Sequence, residues 1–480
     1  MMPRKSFSQT SVHSKKERRA QLFFNGTSGV VLFIFGSILN GSIYFSFEPV
    51  FVSFFFIGLV IAVFSLFSLT RFELSSFFFV FSICWIWAGV AAIYSLYAGD
   101  FLQNHLDAAY FFKISSGSST QDFGATFFLE NGGAILVFRY FYDLFYALGF
   151  NKSPYIGIAL NVSMVSMAAI VGLRMVESVF GNDRERAERF IWVFSFCGIF
   201  WLYSSIHLRD ATILVFVSIL FLAWLRYMQN LSATNFFRLL ILTVLGFPIL
   251  GSMRREFVFV PVALFLSGVT AFLFSSYELT RRAKLILGVL SLGLLLSAYV
   301  FLETQTDVLE ALEAGKKTYE GISSREGSSD SLGNSIIVNQ PFPIKVLLGL
   351  AYLFLYPIPF WVGFQFDSVY PLFKSLHALF MYVFTPLCIF SFLHFFKKGF
   401  RIDSQILFLA FTIIGFALSI SYTSLENRHF GVFLPALIVL SLIPDLTQFK
   451  EKYVYKRLLF LYLCMIGLIH LAWFALKFVL

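Results

Sequence analysis

Charged residues are scarce in this sequence, and their scarcity excludes a single water-soluble domain. Asp, Glu, Lys and Arg make up 13% of the 480 residues, whereas a soluble domain carries roughly 25%. Apolar residues reach 58%, and the mean hydropathy is +0.79. The apolar runs are about 20 residues long, which is the length of a bilayer crossing. We therefore expect an integral membrane protein.

Cysteine is also scarce, and several common catalytic motifs are missing. The sequence has no P-loop, no His-Glu-x-x-His and no Gly-x-Ser-x-Gly motif, so the usual signatures of phosphate loops, zinc proteases and serine hydrolases are absent. The cysteines have no metal-ligand spacing and imply no disulfide framework. We expect a protein that uses no metal and no other cofactor. The four cysteines lie inside apolar runs: Cys84, Cys197, Cys388 and Cys464.

Long apolar runs recur along the whole chain. They predict an all-α fold, a polytopic transmembrane helix bundle of about 13 spans. Helix ends are the least certain part of such a prediction. The predicted spans are 22–46, 49–69, 76–97, 155–176, 190–206, 211–227, 238–251, 257–276, 284–302, 371–396, 405–422, 430–446 and 458–478.

The basic residues indicate an orientation rather than a nucleic-acid partner. The net charge is +9, but Lys and Arg concentrate in short loops between apolar runs. Residues 1–21 form a basic tail without a small-residue cleavage site, which we expect to lie in the cytoplasm. Residues 22–480 then form a single multi-pass membrane domain.

Two further apolar stretches, 133–150 and 344–363, are interrupted by charged residues or by prolines. With a cytoplasmic N-terminus, nearly every short inside loop is basic, as the positive-inside rule requires. A full crossing by either stretch alone would move basic clusters outside. We therefore predict interfacial or re-entrant helices on the outer side, within extracytoplasmic loops 98–154 and 303–370. If both stretches crossed, only the loops between them would invert, and this alternative stays open.

The first of these loops carries two carboxylates, Asp100 and Asp107. A carboxylate there can act as a general base or bind a sugar hydroxyl. It can also be a solvated loop residue or the N-cap of a helix. We predict Asp100 and Asp107 as candidate catalytic residues.

A short connection between two spans holds three ionisable residues, His207, Arg209 and Asp210. Asp210 can simply cap the next helix, and Arg209 can simply extend to the interface. Ionisable groups held at a membrane boundary are nevertheless functional candidates. We predict that Arg209 binds a substrate phosphate and that His207 and Asp210 support it.

Arginines recur at two further helix ends on the predicted outer side. Arg254 and Arg255 occupy a very short connection, and Arg428 lies between Glu426 and His429. Arginine on the outside runs against the positive-inside rule, and a guanidinium binds phosphate through two parallel hydrogen bonds. We predict that these three arginines bind phosphate, supported by Glu426 and His429. A salt bridge to a neighbouring carboxylate is the alternative.

These segments together resemble the Wzy and EpsG-like bacterial polysaccharide polymerases, and are similar to the wider GT-C class of membrane glycosyltransferases. The resemblance implies that a loop Asp is the base and that outer-face arginines hold the phosphate of a lipid-linked sugar. The acidic loop here follows the third span, whereas the GT-C pattern places it after the first. The resemblance is carried by Gly99-Asp100 to Asp107-Ala-Ala-Tyr110, His207-Leu-Arg209-Asp210-Ala, Arg254-Arg255, and Arg428 before Pro435.

We therefore predict a metal-independent glycan polymerase or glycosyltransferase of the bacterial cytoplasmic (inner) membrane. Its substrate would be an undecaprenyl-(di)phosphate-linked glycan at the extracytoplasmic face, and its product a surface polysaccharide. The expected partners are this polyprenyl-linked substrate, membrane lipid and other polysaccharide-assembly proteins, but no nucleic acid. The alternative is a lipid-linked oligosaccharide flippase or transporter, which should line its central spans with ionisable groups. A third alternative is a non-catalytic scaffold.

Overall fold

The computed structural model describes residues 12–66, 68–97, 106–117, 125–275, 337, 340–341, 343–355, 359–365, 369–397, 403–423 and 427–478. Within these ranges the chain forms α-helices and two short 3-10 helices, Arg255–Phe259 and Val362–Gln365, and no β-strand. The α-helices are α1 (Val12–Ile43), α2 (Glu48–Ser65), α3 (Arg71–Tyr97), α4 (Leu106–Ser116), α5 (Ala125–Ala147), α6 (Pro154–Phe180), α7 (Arg184–Ser195), α8 (Gly198–Ser205), α9 (Asp210–Gln229), α10 (Ala233–Met253), α11 (Val260–Phe274), α12 (Ile344–Leu355), α13 (Val369–Lys397), α14 (Ser404–Thr423), α15 (Asn427–Gly431), α16 (Leu434–Ser441) and α17 (Phe449–Phe478).

In the described ranges, nine helical segments are long and apolar enough to cross a membrane. The prediction of an all-α polytopic bundle is therefore confirmed. The number of crossings stays a prediction, and the predicted span 284–302 lies outside the described residues. The nine segments are α2, α3, α6, α9, α10, Arg255–Phe274, α13, α14 and α17.

Two of the predicted spans are not continuous helices. The run 190–206 is divided between α7 and α8, and the run 430–446 between α15 and α16. Pro435 lies in the first turn of α16, where proline is tolerated because its missing N–H would have no helical partner. Hydropathy alone does not detect such breaks, because the residues on both sides of each break are apolar.

Helix α6 forms the centre of the bundle. Almost all of its residues are buried, and it packs against α2, α3, α7, α8 and α9. Many of its residues are small, which lets neighbouring helices approach closely. Helix α17, by contrast, exposes large apolar side chains such as Phe460, Leu468 and Leu471. Exposed apolar side chains are suited to contact with lipid rather than water.

The ends of the bundle differ in their polar residues. We call the end that contains Arg209, Arg254 and Arg428 the arginine end, and the end that contains Arg174 the opposite end.

At the arginine end, α5 lies against the last turn of α10 and the first turn of α6. A Cβ atom on Gly133 would lie 2.2 Å from the Ser252 Oγ. The interfacial position of 133–150 stays a prediction.

The described parts of the segment 344–365, residues 344–355 and 359–365, contact helices at different depths of the bundle. Lys345, near the start of α12, lies over the ring of Tyr422 at the end of α14. Deeper in the bundle, Thr385 donates a hydrogen bond of 2.7 Å to the carbonyl of Phe354. Gly363 then lies beside the last turn of α3, where its carbonyl accepts a hydrogen bond from the Tyr94 hydroxyl. The re-entrant position of 344–363 stays a prediction.

The last residue of α12 is held by a hydrogen bond from another helix, because backbone at membrane depth has no water to bond. Tyr462 donates to the carbonyl of Leu355. We expect Tyr462→Phe to lower the free energy of unfolding by about 1–3 kcal/mol, since a partly buried carbonyl loses its partner. Thermal unfolding in detergent measures this effect. Tyr453→Phe, at an exposed position of the same helix, is the control, and equal stability of both variants would contradict the prediction.

Gly198 allows α8 to touch the backbone of α13. A Cβ atom at Gly198 would lie 2.5 Å from the backbone nitrogen of His377, whereas no atom of the described residues lies within 4 Å of that position at Gly415. Gly198→Ala should therefore destabilise the protein by about 1–3 kcal/mol. Gly415→Ala should change stability by less than about 1 kcal/mol. The midpoint of thermal unfolding compares the two variants, and a harmless Gly198→Ala would refute the close packing.

Candidate functional site

Arg254 is a buried cation between two carboxylates. It adopts an extended backbone (φ −160°, ψ 121°), and α10 ends at the residue before it. Its guanidinium Nη1 lies 3.9 Å from Oδ1 of Asp210, and its Nε lies 3.3 Å from Oε2 of Glu256. The side chains of Arg254 and Asp210 are only 5% and 3% exposed, but that of Glu256 is 48% exposed.

Arg428 and Asp107 meet although 321 residues separate them in the sequence. Both Nη1 and Nη2 of Arg428 lie 3.4 Å from the same oxygen, Oδ2, of Asp107. The Arg428 side chain is 9% exposed and that of Asp107 is 42% exposed. Asp107 lies in the first turn of α4, and Arg428 lies in α15. The structure thus brings a predicted base and a predicted phosphate ligand together.

Arg209 joins the same cluster from the connection between α8 and α9. Its guanidinium lies 5.6 Å from the ring centroid of Phe111 on α4. Among the described residues it makes no ion pair. Burial and the positive charge of Arg254 lower the pKa of Arg209 to about 10. Arg209 still carries its proton at neutral pH, so its positive charge is available to an anion.

The buried His429 imidazole lies close enough to the three arginines for their charges to affect its protonation. Burial lowers the pKa of His429 well below its ordinary value. Nearby positive charges lower it further, because they oppose protonation; these are the charges of Arg254, Arg428 and Arg209. The imidazole is therefore neutral at physiological pH, and the positive charge of the site belongs to the arginines.

The ion pairs of this site are loose compared with the pair at the opposite end. There, Nε of Arg174 lies 2.6 Å from Oε1 of Glu73, and both side chains are nearly buried. Thr70 donates two further hydrogen bonds to the Glu73 carboxylate. Charge-assisted hydrogen bonds are typically about 2.7–2.9 Å long. The Arg174–Glu73 pair is thus a tight structural contact, whereas the pairs of the arginine end leave room for rearrangement.

Two buried residues that hold this site were missed by sequence reasoning. The Tyr203 hydroxyl donates a hydrogen bond to the backbone carbonyl of Arg428. The Asn161 side-chain amide donates to the carbonyls of Ile206 and Leu208, at 3.0 Å and 2.9 Å. Tyr203 therefore fixes the turn that carries Arg428, and Asn161 fixes the connection that carries Arg209. Both lie within apolar runs, where nothing in the sequence marks them.

Of the other predicted site residues, some lie outside the described residues and some lie in or beside the cluster. Asp100 and Glu426 lie outside the described residues. Asp210 is in the cluster, but its side chain does not cap α9. Arg255 is partly exposed and makes no ion pair within the described part of the chain, so the geometry distinguishes it from Arg254.

His207 is placed among aromatic rings. It is fully buried, and its ring centroid lies 4.0 Å from that of Phe138 and 5.8 Å from that of Tyr142. Neither ring nitrogen has a hydrogen-bond partner among the described residues. A Cβ atom on Gly157 would lie 2.2 Å from its Nε2. In this position His207 supports the site by packing the connection that leads to Arg209.

Comparison with protein-family models, with curated proteins and with solved structures finds nothing that matches this chain. The function of this chain is therefore inferred from the chemistry of the site. Three guanidiniums and an adjacent carboxylate at the end of a membrane bundle are suited to bind a phosphate and to accept a proton beside it.

Burial makes His207 sensitive to acid. It lowers the pKa of His207 to about 3, below the ordinary value of about 6.5. As the pH falls from about 6.5 towards 3, the unfolded chain binds a proton that the folded chain does not, so stability falls. We expect wild type to lose more stability than His207→Gln between pH 7 and pH 5, by up to about 1.4 kcal/mol per pH unit.

The measurement is the midpoint of thermal unfolding of both proteins in detergent at each pH. For each protein, the change in the unfolding midpoint between pH 7 and pH 5 is calculated. These two changes are then compared, so that an effect of the substitution that is the same at both pH values cancels. An identical loss in wild type and variant would show that His207 does not titrate in this way.

Proposed function

We propose that this chain is a membrane glycan polymerase or glycosyltransferase that uses undecaprenyl-(di)phosphate-linked sugars in surface polysaccharide synthesis. The observation that carries the proposal is the convergence of Arg209, Arg254 and Arg428 with Asp107 at one end of the bundle. In the proposed orientation this end faces outward from a bacterial cytoplasmic membrane and the N-terminus lies inside, because the basic loops then face the cytoplasm.

The proposed reaction moves a glycan from its phosphate carrier to an acceptor hydroxyl. The hydroxyl oxygen forms a bond to the anomeric carbon of the sugar, and its proton passes to the carboxylate of Asp107. The bond between the anomeric carbon and the phosphate oxygen breaks, and the electron pair stays on the leaving phosphate. Positioned general bases typically contribute about 10²–10⁴-fold to the rate.

The arginines supply the second part of the proposed mechanism. Negative charge develops on the leaving phosphate as the bond breaks, and guanidinium groups stabilise it through charge-assisted hydrogen bonds. Arg254 and Arg428 are nearly buried, and such interactions are stronger where water is scarce. A lipid-linked substrate suits this position, because its tail can remain between helices or in the bilayer while its phosphate lies at the helix ends.

Single substitutions of the three arginines test the proposal. We expect Arg209→Ala, Arg254→Ala and Arg428→Ala each to lower transfer about 100-fold or more, because each removes a group that stabilises the leaving phosphate. Arg255→Ala should cause a smaller loss, since Arg255 lies apart from the cluster. The measurement is the length distribution of surface polysaccharide, read by gel electrophoresis of cells that carry each variant.

Arg139→Ala is the matched control, because this arginine is 62% exposed on α5 and pairs only loosely with Asp143, at 3.7 Å. Wild-type chain lengths in all three cluster variants would refute the proposal. Surface glycans reduced to single units indicate a polymerase. Loss of every unit from the surface, with accumulation of lipid-linked units inside, would instead indicate the flippase alternative.

A further inference from the structure

The two buried arginines of the site share an unusual choice of partner. Their guanidiniums are nearly inaccessible, yet Arg428 pairs with Asp107 and Arg254 pairs with Glu256, whose side chains are 42% and 48% exposed. A guanidinium as inaccessible as those of Arg254 and Arg428 is stabilised by an anion beside it, because an uncompensated buried charge is strongly unfavourable. An exposed carboxylate can leave at little cost, because water solvates it at once.

The geometry of both contacts is compatible with exchange. One oxygen of Asp107 is shared by two nitrogens of Arg428 at 3.4 Å each, and the Glu256 contact measures 3.3 Å. A guanidinium fork is satisfied best by two separate oxygens at shorter distances. A phosphate group offers those two oxygens, and these carboxylates in their observed positions do not.

We propose that Asp107 and Glu256 are internal anions that exchange with the phosphate groups of a diphosphate ligand at Arg428 and Arg254. The inference rests on the proposed function and deepens it, since it names a diphosphate as the chemical group that the site receives. Asp210, which is almost fully buried, stays beside Arg254 throughout. One carboxylate leaves each guanidinium, and one phosphate group replaces it.

The exchange has a consequence for Asp107. In the observed contact, the Asp107 carboxylate is held by the Arg428 guanidinium through Oδ2. When phosphate takes its place on Arg428, the Asp107 carboxylate is released and its oxygens become accessible to the acceptor hydroxyl. Substrate binding thereby prepares the base of the proposed reaction, and the base is blocked while the site is empty.

The test separates binding from turnover. Asp107→Asn removes the competing anion, so it should bind a diphosphate more tightly while it transfers glycan more slowly. The probes are geranylgeranyl diphosphate and inorganic diphosphate, titrated calorimetrically into the purified full-length protein in detergent. We expect the dissociation constant of at least one probe to fall about fivefold, the factor that a partly exposed ion pair is worth.

Glu256→Gln should shift the dissociation constant in the same direction. Asp107→Glu, which keeps a carboxylate, should bind like wild type. The matched control is Asp143→Asn, because Asp143 is an exposed carboxylate of the same charge that pairs with Lys152 at 2.9 Å. A change in overall charge alone would affect Asp143→Asn as strongly as Asp107→Asn.

The exchange is overturned if Asp107→Asn binds diphosphate no more tightly than wild type. It is also overturned if Asp143→Asn tightens binding as much as Asp107→Asn, or if the protein binds neither of the two probes. The midpoint of thermal unfolding is measured without ligand and again after a probe is added, which distinguishes a misfolded variant from one that binds poorly. If Asp107→Asn does not fold, the dissociation constant of Glu256→Gln decides whether the exchange occurs. Tight binding of the lipid probe alone identifies a lipid-linked diphosphate, and equal binding of inorganic diphosphate identifies a water-soluble one. Tighter binding in Asp107→Asn without glycan transfer by wild type supports the exchange and refutes the polymerase.

Discussion

The pairing of the two nearly inaccessible guanidiniums, Arg254 and Arg428, with carboxylates organises the arginine end of this protein. Removing an ion from water costs several kcal/mol even after the surroundings relax. Arg254 and Arg428 meet this cost with carboxylates drawn from distant parts of the chain, Asp210 and Asp107. The ends of α9, α10, α15 and α4 are thereby joined by charge, whereas the helices themselves are joined by apolar packing.

The scaffold around this cluster is more rigid than the contacts within it. Asn161 on the buried helix α6 holds two carbonyls of the α8–α9 connection. Tyr203 holds the carbonyl of Arg428. Both side chains belong to the core of the bundle, so the backbone that carries Arg209 and Arg428 is hydrogen-bonded to the core, while the partner carboxylates Asp107 and Glu256 are about half exposed. This combination suits a site that must bind and release an anion.

The sequence alone predicted the architecture better than the site. Long apolar runs predict spans directly, whereas the outer-side position of 133–150 and 344–363 rests on the distribution of basic residues and stays a prediction. The break before Gly198 could not be predicted from hydropathy, because the residues on both sides of it are apolar, and the close approach of Gly198 to the backbone of His377 is visible only in the structure. The sequence also could not separate Arg254 from Arg255. Adjacent residues at a helix end point in different directions, and only the three-dimensional structure shows which guanidinium is buried.

The short helix α4 contacts two of the arginines with one face. Asp107 and Phe111 are four residues apart and therefore lie on the same side of the helix. Asp107 contacts Arg428, and Phe111 lies beneath the guanidinium of Arg209. A rigid-body displacement of this single helix would uncover both cations in the same step. Access to these two cations is therefore determined by the position of one element of the chain rather than by two separate side chains.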